Sequence, residues 1–175
     1  MVSKKMADRI NEQINKEMYS AYLYLAMSAR MTEKGYKGIG NWLIVQFHEE
    51  MYHAMRFYNY LQDQGASVQL KAIAVPDFKE TAVRELFQHV LEHEKGVTKS
   101  IQEIMAMAIE DKDYATQVLD QWYVNEQIEE EKNATDILQA IDLAGNTPQG
   151  LYLINVELGK RKPGVSLDFT ALAEA

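Results

Sequence analysis

Hydrophobic residues recur every three or four positions in four long segments of the chain, which is the spacing of helices with one buried face. The pattern predicts helices from about Ser3 to Glu33, from Lys37 to Gln64, from Thr81 to Glu110 and from Tyr114 to Ala144. A glycine follows the first, second and fourth segments, as is common where a helix ends. An all-α fold is therefore predicted.

Each segment carries one stripe of residues that we expect to face the core. Near the middle of each helix, polar residues replace apolar ones in the stripe. The expected core residues are Ile10, Ile14, Ala21, Tyr24, Ser28 and Met31; Ile39, Leu43, Gln46, Phe57 and Leu61; Leu86, Val90, Val97, Ile101, Ile104 and Ala108; and Tyr123, Ala134, Ile137 and Ile141.

The connections between the segments predict the topology. The first and third are so short that the helices they join must be antiparallel neighbours. Residues 66–79 lack a helical period, and Val68 and Leu70 alternate with polar residues as in an extended strand. Fourteen extended residues span about 45 Å, the length of a helix of about 30 residues. The second and third helices are therefore predicted to be parallel, in a four-helix bundle with one long crossover.

A short fifth helix is expected after the bundle. Thr147 suits its N-cap, Pro148 suits its first position, and the pattern continues to about Leu158. We therefore expect one domain over residues 1–160, and a tail, 161–175, that we leave unassigned.

The composition narrows the function. With 175 residues, of which 47% are hydrophobic, the chain can bury the core of one domain. A net charge of −8 disfavours nucleic acid as a partner and favours cations. No apolar stretch follows the charged start, so neither a signal peptide nor a membrane span is expected. The absence of cysteine removes thiolate ligands and fits a cytoplasmic protein.

Acidic residues interrupt the apolar stripes near the middle of all four long helices. They are Glu17, Glu50, Glu94 and Glu130. The middle positions of equally long helices in a bundle lie at one level, so these side chains can meet. Burying one unpaired carboxylate costs roughly several kcal/mol. Four buried carboxylates close together would also repel one another. The pattern indicates that cations join them.

The stretch HEEMYH on the second helix identifies the kind of cation site. Its histidines, His48 and His53, are five residues apart, which is unlike the spacing of four in H-E-x-x-H zinc proteases. Glu50 and His53 are three apart and can point at one ion. Many oxygen donors with one imidazole suit Fe(II) or Mn(II) better than a zinc tetrahedron. Two ions about 3.5–4 Å apart and bridged by Glu50 would use the whole set, so a diiron centre is predicted.

At these residues the chain resembles the bacterial non-haem ferritins, and the resemblance extends through the crossover and the fifth helix. It implies a ferroxidase, in which dioxygen or peroxide oxidises Fe(II), and about 24 subunits that form a hollow shell around ferric mineral. It also implies two iron positions that share Glu50. The first would be held by Glu17, Glu50 and His53, and the second by Glu50, Glu94 and Glu130 with Gln127 adjacent.

The resemblance implies further residues near this centre. Similar ferritins have a third, inward iron site, which here would be formed by Glu49, Glu126, Glu129 and Glu130. We refer to these four residues as the inner acidic group. Tyr24, seven residues after the first iron ligand, matches a family tyrosine that supplies an electron or a hydrogen bond.

Three alternatives stay open at this point. Met51 lies where bacterioferritins carry a haem-binding methionine, but it points about 100° away from Glu50 and suits interface packing better, so no haem is expected. A non-catalytic acidic helix bundle would carry the same charges without binding iron. A DNA-protecting mini-ferritin is disfavoured by the acidic charge and the fifth helix.

Two features of the third helix stand outside this picture. His89 and His93 are four residues apart, but they lie about 140° and 100° from Glu94 around the helix and are expected on the surface. Gly96 weakens the helix, and close packing is the reason we expect for it.

Overall fold

The structure is a computed structural model that describes residues 1–145, 147–166, 168 and 169. Over these residues it contains helices and no strand, and every predicted helix end agrees within two residues. None of the helices described is both long enough and apolar enough to cross a membrane. The helices are α1 (Lys4–Glu33), α2 (Lys37–Asp63), α3 (Val83–Glu110), α4 (Tyr114–Leu143) and α5 (Pro148–Leu158).

Local sequence signals account for the ends of the helices. The Ser3 side chain accepts a hydrogen bond from the backbone N–H of Met6 and caps α1. Thr147 caps α5 in the same way through the N–H of Gly150, at 3.1 Å, as its sequence predicts. Gly35, just after α1, has a φ of 88°, a conformation that glycine adopts without strain.

Contacts between α2 and α4 confirm the predicted topology. The Tyr60 and Thr116 hydroxyls, near the end of α2 and the start of α4, are 2.7 Å apart. Gln46 and Glu130, further back on α2 and further along α4, are joined at 2.8 Å. These two helices are therefore antiparallel. Because α3 and α4 are antiparallel across their short connection, α2 and α3 are parallel.

The crossover between α2 and α3 runs along α1. Asn11 donates to the carbonyl of Ser67 at 3.1 Å and accepts from the N–H of Gln69 at 2.7 Å. One turn later, Asn15 donates to the carbonyl of Lys71 at 3.4 Å. The asparagine side chains thus satisfy backbone groups of a segment that has no regular secondary structure of its own.

The apolar core is divided into two clusters, and every residue predicted for the stripes is buried. One cluster lies toward α5 and includes Tyr24, Leu43 and Val90. The other lies toward the opposite end and includes Phe57 and Tyr123. The acidic middle of each helix falls between the two clusters.

Two glycines have opposite surroundings. Gly38 donates its N–H to Asn155 Oδ1 at 2.8 Å, and a Cβ on it would lie 1.6 Å from the carbonyl oxygen of Asn155. This close approach seats α5 on α2. A Cβ on Gly96, by contrast, would meet no described atom within 4 Å apart from the adjacent backbone of its own helix, so the expectation of close packing there was wrong.

The tail beyond α5 is irregular where it is described. Its first residue, Arg161, packs back onto α2, as set out below. Within the tail that the sequence left unassigned, residues 167 and 170–175 lie outside the described residues.

Candidate metal centre

Six of the predicted ligand residues lie at one level between the two apolar clusters, and none is more than 3% exposed. They come from the middles of four different helices, as the sequence predicts. They are Glu17 on α1, Glu50 and His53 on α2, Glu94 on α3, and Gln127 and Glu130 on α4.

We refer to the residues expected to hold the first iron, Glu17, Glu50 and His53, as the first iron group. Their side chains lie close together in the structure. One ligand atom from each of the three residues lies within 4.8 Å of the others. Glu17 Oε2, Glu50 Oε2 and His53 Nε2 are buried, and none has a hydrogen-bond partner in the described chain. Buried polar atoms are nearly always paired, so this arrangement fits a cation bound among them.

The protonation of the first iron group suits metal binding. Burial lowers the pKa of His53 to about 3, with the positive charge of Arg56 adding to the effect, so its imidazole is neutral and able to bind a metal. Burial raises the pKa of Glu17 to about 7. Burial and the neighbouring carboxylates Glu94 and Glu17 raise the pKa of Glu50 well above its ordinary value. These carboxylates therefore hold protons more readily than exposed ones do, and a cation that binds among them would displace such protons.

Neighbouring side chains hold the Glu17 carboxylate and the backbone at His53. Gln13, one turn before Glu17, donates to Glu17 Oε1 at 2.8 Å and itself accepts from the hydroxyl of Ser100 at 2.6 Å. Tyr123 donates to the backbone carbonyl of His53 at 2.7 Å. Glu17 thus has one oxygen held by the protein and the other free for an ion.

Two carboxylates expected for the second iron, Glu94 and Glu130, accept hydrogen bonds from neighbouring side chains. Tyr24 donates to Glu94 Oε1, and Gln127 donates to Glu94 Oε2 at 3.2 Å. Gln46 donates to Glu130 Oε2 at 2.8 Å. Each carboxylate oxygen has two lone pairs, so a second ion at this place could share these oxygens with their donors.

The inner acidic group is only partly brought together. Glu126 Oε1 lies 4.0 Å from His53 Nε2, and Glu126, His53 and Glu130 each offer a ligand atom within 4.8 Å of the others. The side chain of Glu126 is 24% exposed. Glu129 is exposed and belongs to no such group among the described residues.

The remaining member of the inner acidic group, Glu49, is paired with a positive charge. Its Oε2 accepts from the guanidinium of Arg161 at 2.7 Å. Burial raises the pKa of Glu49 to about 6, while the charge of Arg161 works in the opposite direction.

The expectation that both histidines of α3 lie on the surface was wrong for His93. Its Nε2 is 2.8 Å from the Ser20 hydroxyl, and its ring meets that of Tyr24 edge-on at 6.1 Å. Burial lowers the pKa of His93 to about 4. The reason is that α1 packs against the flank of α3, not only against its central stripe. His89 is half-buried and lies 3.1 Å from Glu80.

A further buried carboxylate is that of Asp120 on α4. Its residue is 0% exposed, and neither oxygen has a hydrogen-bond partner in the described part of the chain. Burial raises its pKa to about 7, with Glu17 adding to the increase and Arg9 opposing it. Asp120 lies seven residues before Gln127, so its helical spacing could have identified it.

The family model for the ferritin-like domain matches residues 7–144 of the chain. The chain belongs to the ferritin family. A probable bacterial non-heme ferritin-like protein of Haemophilus influenzae is 37% identical over 159 residues, which cover 91% of this chain and 96% of that protein. A bacterial non-heme ferritin of Staphylococcus aureus is 34% identical over 161 residues, which cover 92% and 97%.

Solved ferritin structures share this fold. A closed form of the Archaeoglobus fulgidus ferritin, engineered by site-directed mutagenesis, has a TM-score of 0.91 and 42% identity, covering 93% of this chain and 99% of that one. A humanized archaeal ferritin has a TM-score of 0.92 and 41% identity, covering 94% and 100%. The predicted ferritin-like bundle with a short fifth helix is thereby confirmed.

Sequence reasoning missed the residues of this ferritin chain that hold the ligands in place. Gln13 precedes Glu17 by one helical turn, so spacing offered a signal for it. Gln46 was predicted as a core residue, but its contact with Glu130 was not. Arg161 lies in a segment without periodicity, where no pattern pointed to it.

Proposed function

We propose that this ferritin-family chain stores iron. In this proposal it oxidises Fe(II) to Fe(III) with O2 or H2O2 at the centre formed by the four long helices. About 24 copies enclose the ferric mineral in a hollow shell. The observation that carries the proposal is the convergence of three buried side chains, Glu17, Glu50 and His53, each of which also has a buried polar atom without a hydrogen-bond partner in the described chain. A cytoplasmic location, expected from the absence of cysteine, stays a prediction.

The ligand set supports oxidation as well as binding. Glu17, Glu50 and His53 would hold the first Fe(II), and Glu50, Glu94 and Glu130 the second. Carboxylates in a site that excludes water stabilise a trivalent ion more than a divalent one, because the attraction grows with the charge of the ion. The centre therefore favours loss of an electron from each bound iron.

The residues around the second position would steady it. Gln127 holds Glu94 Oε2, and Tyr24 donates to Glu94 Oε1. We assign Gln127 a positioning role. We assign Tyr24 the role of orienting this carboxylate or supplying an electron during oxidation. The inner acidic group would take a third ion on its way to the mineral.

The proposal is tested with two substitutions at the centre and two matched controls. Glu50→Gln and His53→Ala remove ligands, whereas Glu92→Gln and His89→Ala change the same residue types on α3 away from the centre. Each protein is loaded with Fe(II) under anaerobic conditions and then mixed with air. The rate of Fe(II) oxidation should be at least about tenfold lower in the first pair, because loss of metal-supporting interactions typically has an effect of that size. Oxidation at the parent rate in Glu50→Gln and His53→Ala would refute the assignment.

Two further measurements concern the assembly and haem. Electron microscopy of iron-loaded protein should reveal hollow particles with a dense core, and monomers or open chains would contradict the shell. Protein produced with added haem should have no Soret band, because no haem is expected at Met51. A stoichiometric Soret band would overturn that expectation.

A further inference from the structure

Arg161 follows α5, and its backbone is fixed to α2. Asn41, near the start of α2, donates to the carbonyl of Arg161 at 2.9 Å and to that of Gly159 at 3.4 Å. Asn155 of α5 accepts from the N–H groups of Gly38 and Ile39. The backbone from which the Arg161 side chain extends is therefore held at a defined place beside α2.

The guanidinium of Arg161 lies along one face of α2. Its Nη1 donates to Gln46 Oε1, its Nη2 donates to Glu49 Oε2 at 2.7 Å, and its central carbon lies 4.8 Å from the ring centre of Trp42. Residues 42, 46 and 49 are spaced by four and then three, so they form one stripe. A planar guanidinium meets all three of them at once, which a lysine ammonium could not do.

Through Gln46 the same contact extends to an expected iron ligand. Because Arg161 donates to Gln46 Oε1, the amide must turn its Nε2 the other way, toward Glu130 Oε2 at 2.8 Å. Arg161 thus fixes Glu130 through Gln46 and pairs directly with Glu49. These two glutamates are half of the inner acidic group.

The guanidinium has an alternative place to go. Arg161 lines an open cavity of about 680 Å³ together with Glu129, Asp136 and Glu157. A positive side chain that leaves Glu49 therefore finds other carboxylates within the same cavity.

We propose that Arg161 is a built-in occupant of the inner acidic group. Its guanidinium takes the place of a third cation at Glu49, and a third metal ion binds there only after the guanidinium has moved away. Arg161 is then a positioning residue that sets the affinity of the inner acidic group and keeps iron at the two central positions until these are filled. This inference rests on the proposed function.

The first test compares Fe(II) binding to the assembled full-length protein under anaerobic conditions, by titration calorimetry. Arg161→Gln removes the occupant, and Lys162→Gln is the matched control. Lys162 carries the same charge one residue later, but it is exposed and does not line the cavity. We expect the parent to bind two ions tightly and a third weakly. Arg161→Gln should bind the third roughly tenfold more tightly, and Lys162→Gln should match the parent.

The conservative variant separates charge from geometry. Arg161→Lys keeps the positive charge but cannot bridge Gln46 and Glu49, so its affinity for the third ion should fall between those of the parent and Arg161→Gln. A third-ion affinity that is unchanged or lower in Arg161→Gln would overturn the inference. So would equal loss of all three ions, because it would make Arg161 a general structural support.

Failure of the proposed function gives a different result. If the parent itself binds no Fe(II), the proposed function and this inference are both refuted. If the parent binds two ions tightly and Arg161→Gln differs in nothing, only this inference is refuted.

A second readout follows the guanidinium itself. The chain has two tryptophans, so Trp122→Phe leaves Trp42 as the single indole. Zn(II), which neither changes oxidation state nor quenches by electron transfer, should alter Trp42 emission as the third ion displaces Arg161 from the ring. The change should be absent when Arg161→Gln is added. Emission that is insensitive to the third ion in the Trp122→Phe protein would contradict displacement.

Discussion

Asp120 makes the metal-free protein sensitive to pH in a direction that the structure fixes. Its carboxyl is fully buried, and neither oxygen accepts a hydrogen bond from the described residues. Burial raises its pKa in the folded chain from 3.8 to about 7. The folded chain therefore binds this proton more tightly than the unfolded chain does. The stabilisation from proton binding is complete below pH 3.8 and is lost as the pH rises through about 7.

The size of the effect follows from the same two pKa values. One pKa unit corresponds to about 1.36 kcal/mol, so a rise from 3.8 to about 7 amounts to at most about 4 kcal/mol per chain. Asp120→Asn cannot titrate. Its free energy of unfolding, relative to that of the parent, should therefore increase between about pH 4 and pH 8 by up to that amount.

The assay is denaturant unfolding followed by circular dichroism, with a chelator present and at one chain concentration, because assembly also affects apparent stability. Asp136→Asn is the control, since Asp136 is on the same helix but 54% exposed. The asparagine amide in Asp120→Asn is itself unpaired, so it changes the stability of the variant at every pH. The informative quantity is therefore how the difference in stability between the variant and the parent changes with pH. If Asp120→Asn and the parent keep a constant difference from pH 4 to pH 8, the reasoning about Asp120 is refuted.

Other substitutions test the supports of the centre and of α5. Gln13→Leu removes the hydrogen bond of 2.8 Å to Glu17 Oε1, so anaerobic titration should give roughly tenfold weaker binding of the first Fe(II), and unchanged affinity would contradict the support. Gly38→Ala would place a Cβ 1.6 Å from the Asn155 carbonyl oxygen and should lower the melting temperature, at a cost of about 1–3 kcal/mol. Gly96→Ala meets no described atom within 4 Å apart from the adjacent backbone of its own helix, and it should raise the melting temperature because alanine adds up to about 1 kcal/mol of stability. A higher melting temperature in Gly38→Ala would contradict its close packing, and a lower one in Gly96→Ala would contradict the open space there.

The helices and their arrangement follow from the sequence because one rule applies over long distances. A stripe that repeats through about 30 residues fixes both the extent of a helix and the face that it buries. The crossover is long enough to span the bundle, so it predicts how the pair α1 and α2 is connected to the pair α3 and α4. The level of the carboxylates follows in the same way, since middle positions of equal helices must meet. For this reason the sequence alone predicts that Glu17, Glu50 and Glu94 lie at one level of the bundle.

The finer features of the centre depend on side-chain contacts that periodicity does not encode. Which oxygen of Glu130 is held, and by which atom of Gln46, depends on the orientation of an amide. The position of Arg161 depends on how α5 seats against α2. The burial of His93 was missed because helical angles measured from Glu94 describe the central face and ignore the flank on α1. Asp120 was missed although its spacing carried the signal.

The most direct test of the central claim is an anaerobic soak of crystals in Fe(II), read by anomalous scattering at the iron edge. The account predicts two peaks about 3.5–4 Å apart at the level between the two apolar clusters. One peak should touch Glu17, Glu50 and His53, and the other should share Glu50. Iron found only on exposed carboxylates, with no peak at that buried level, would contradict the account.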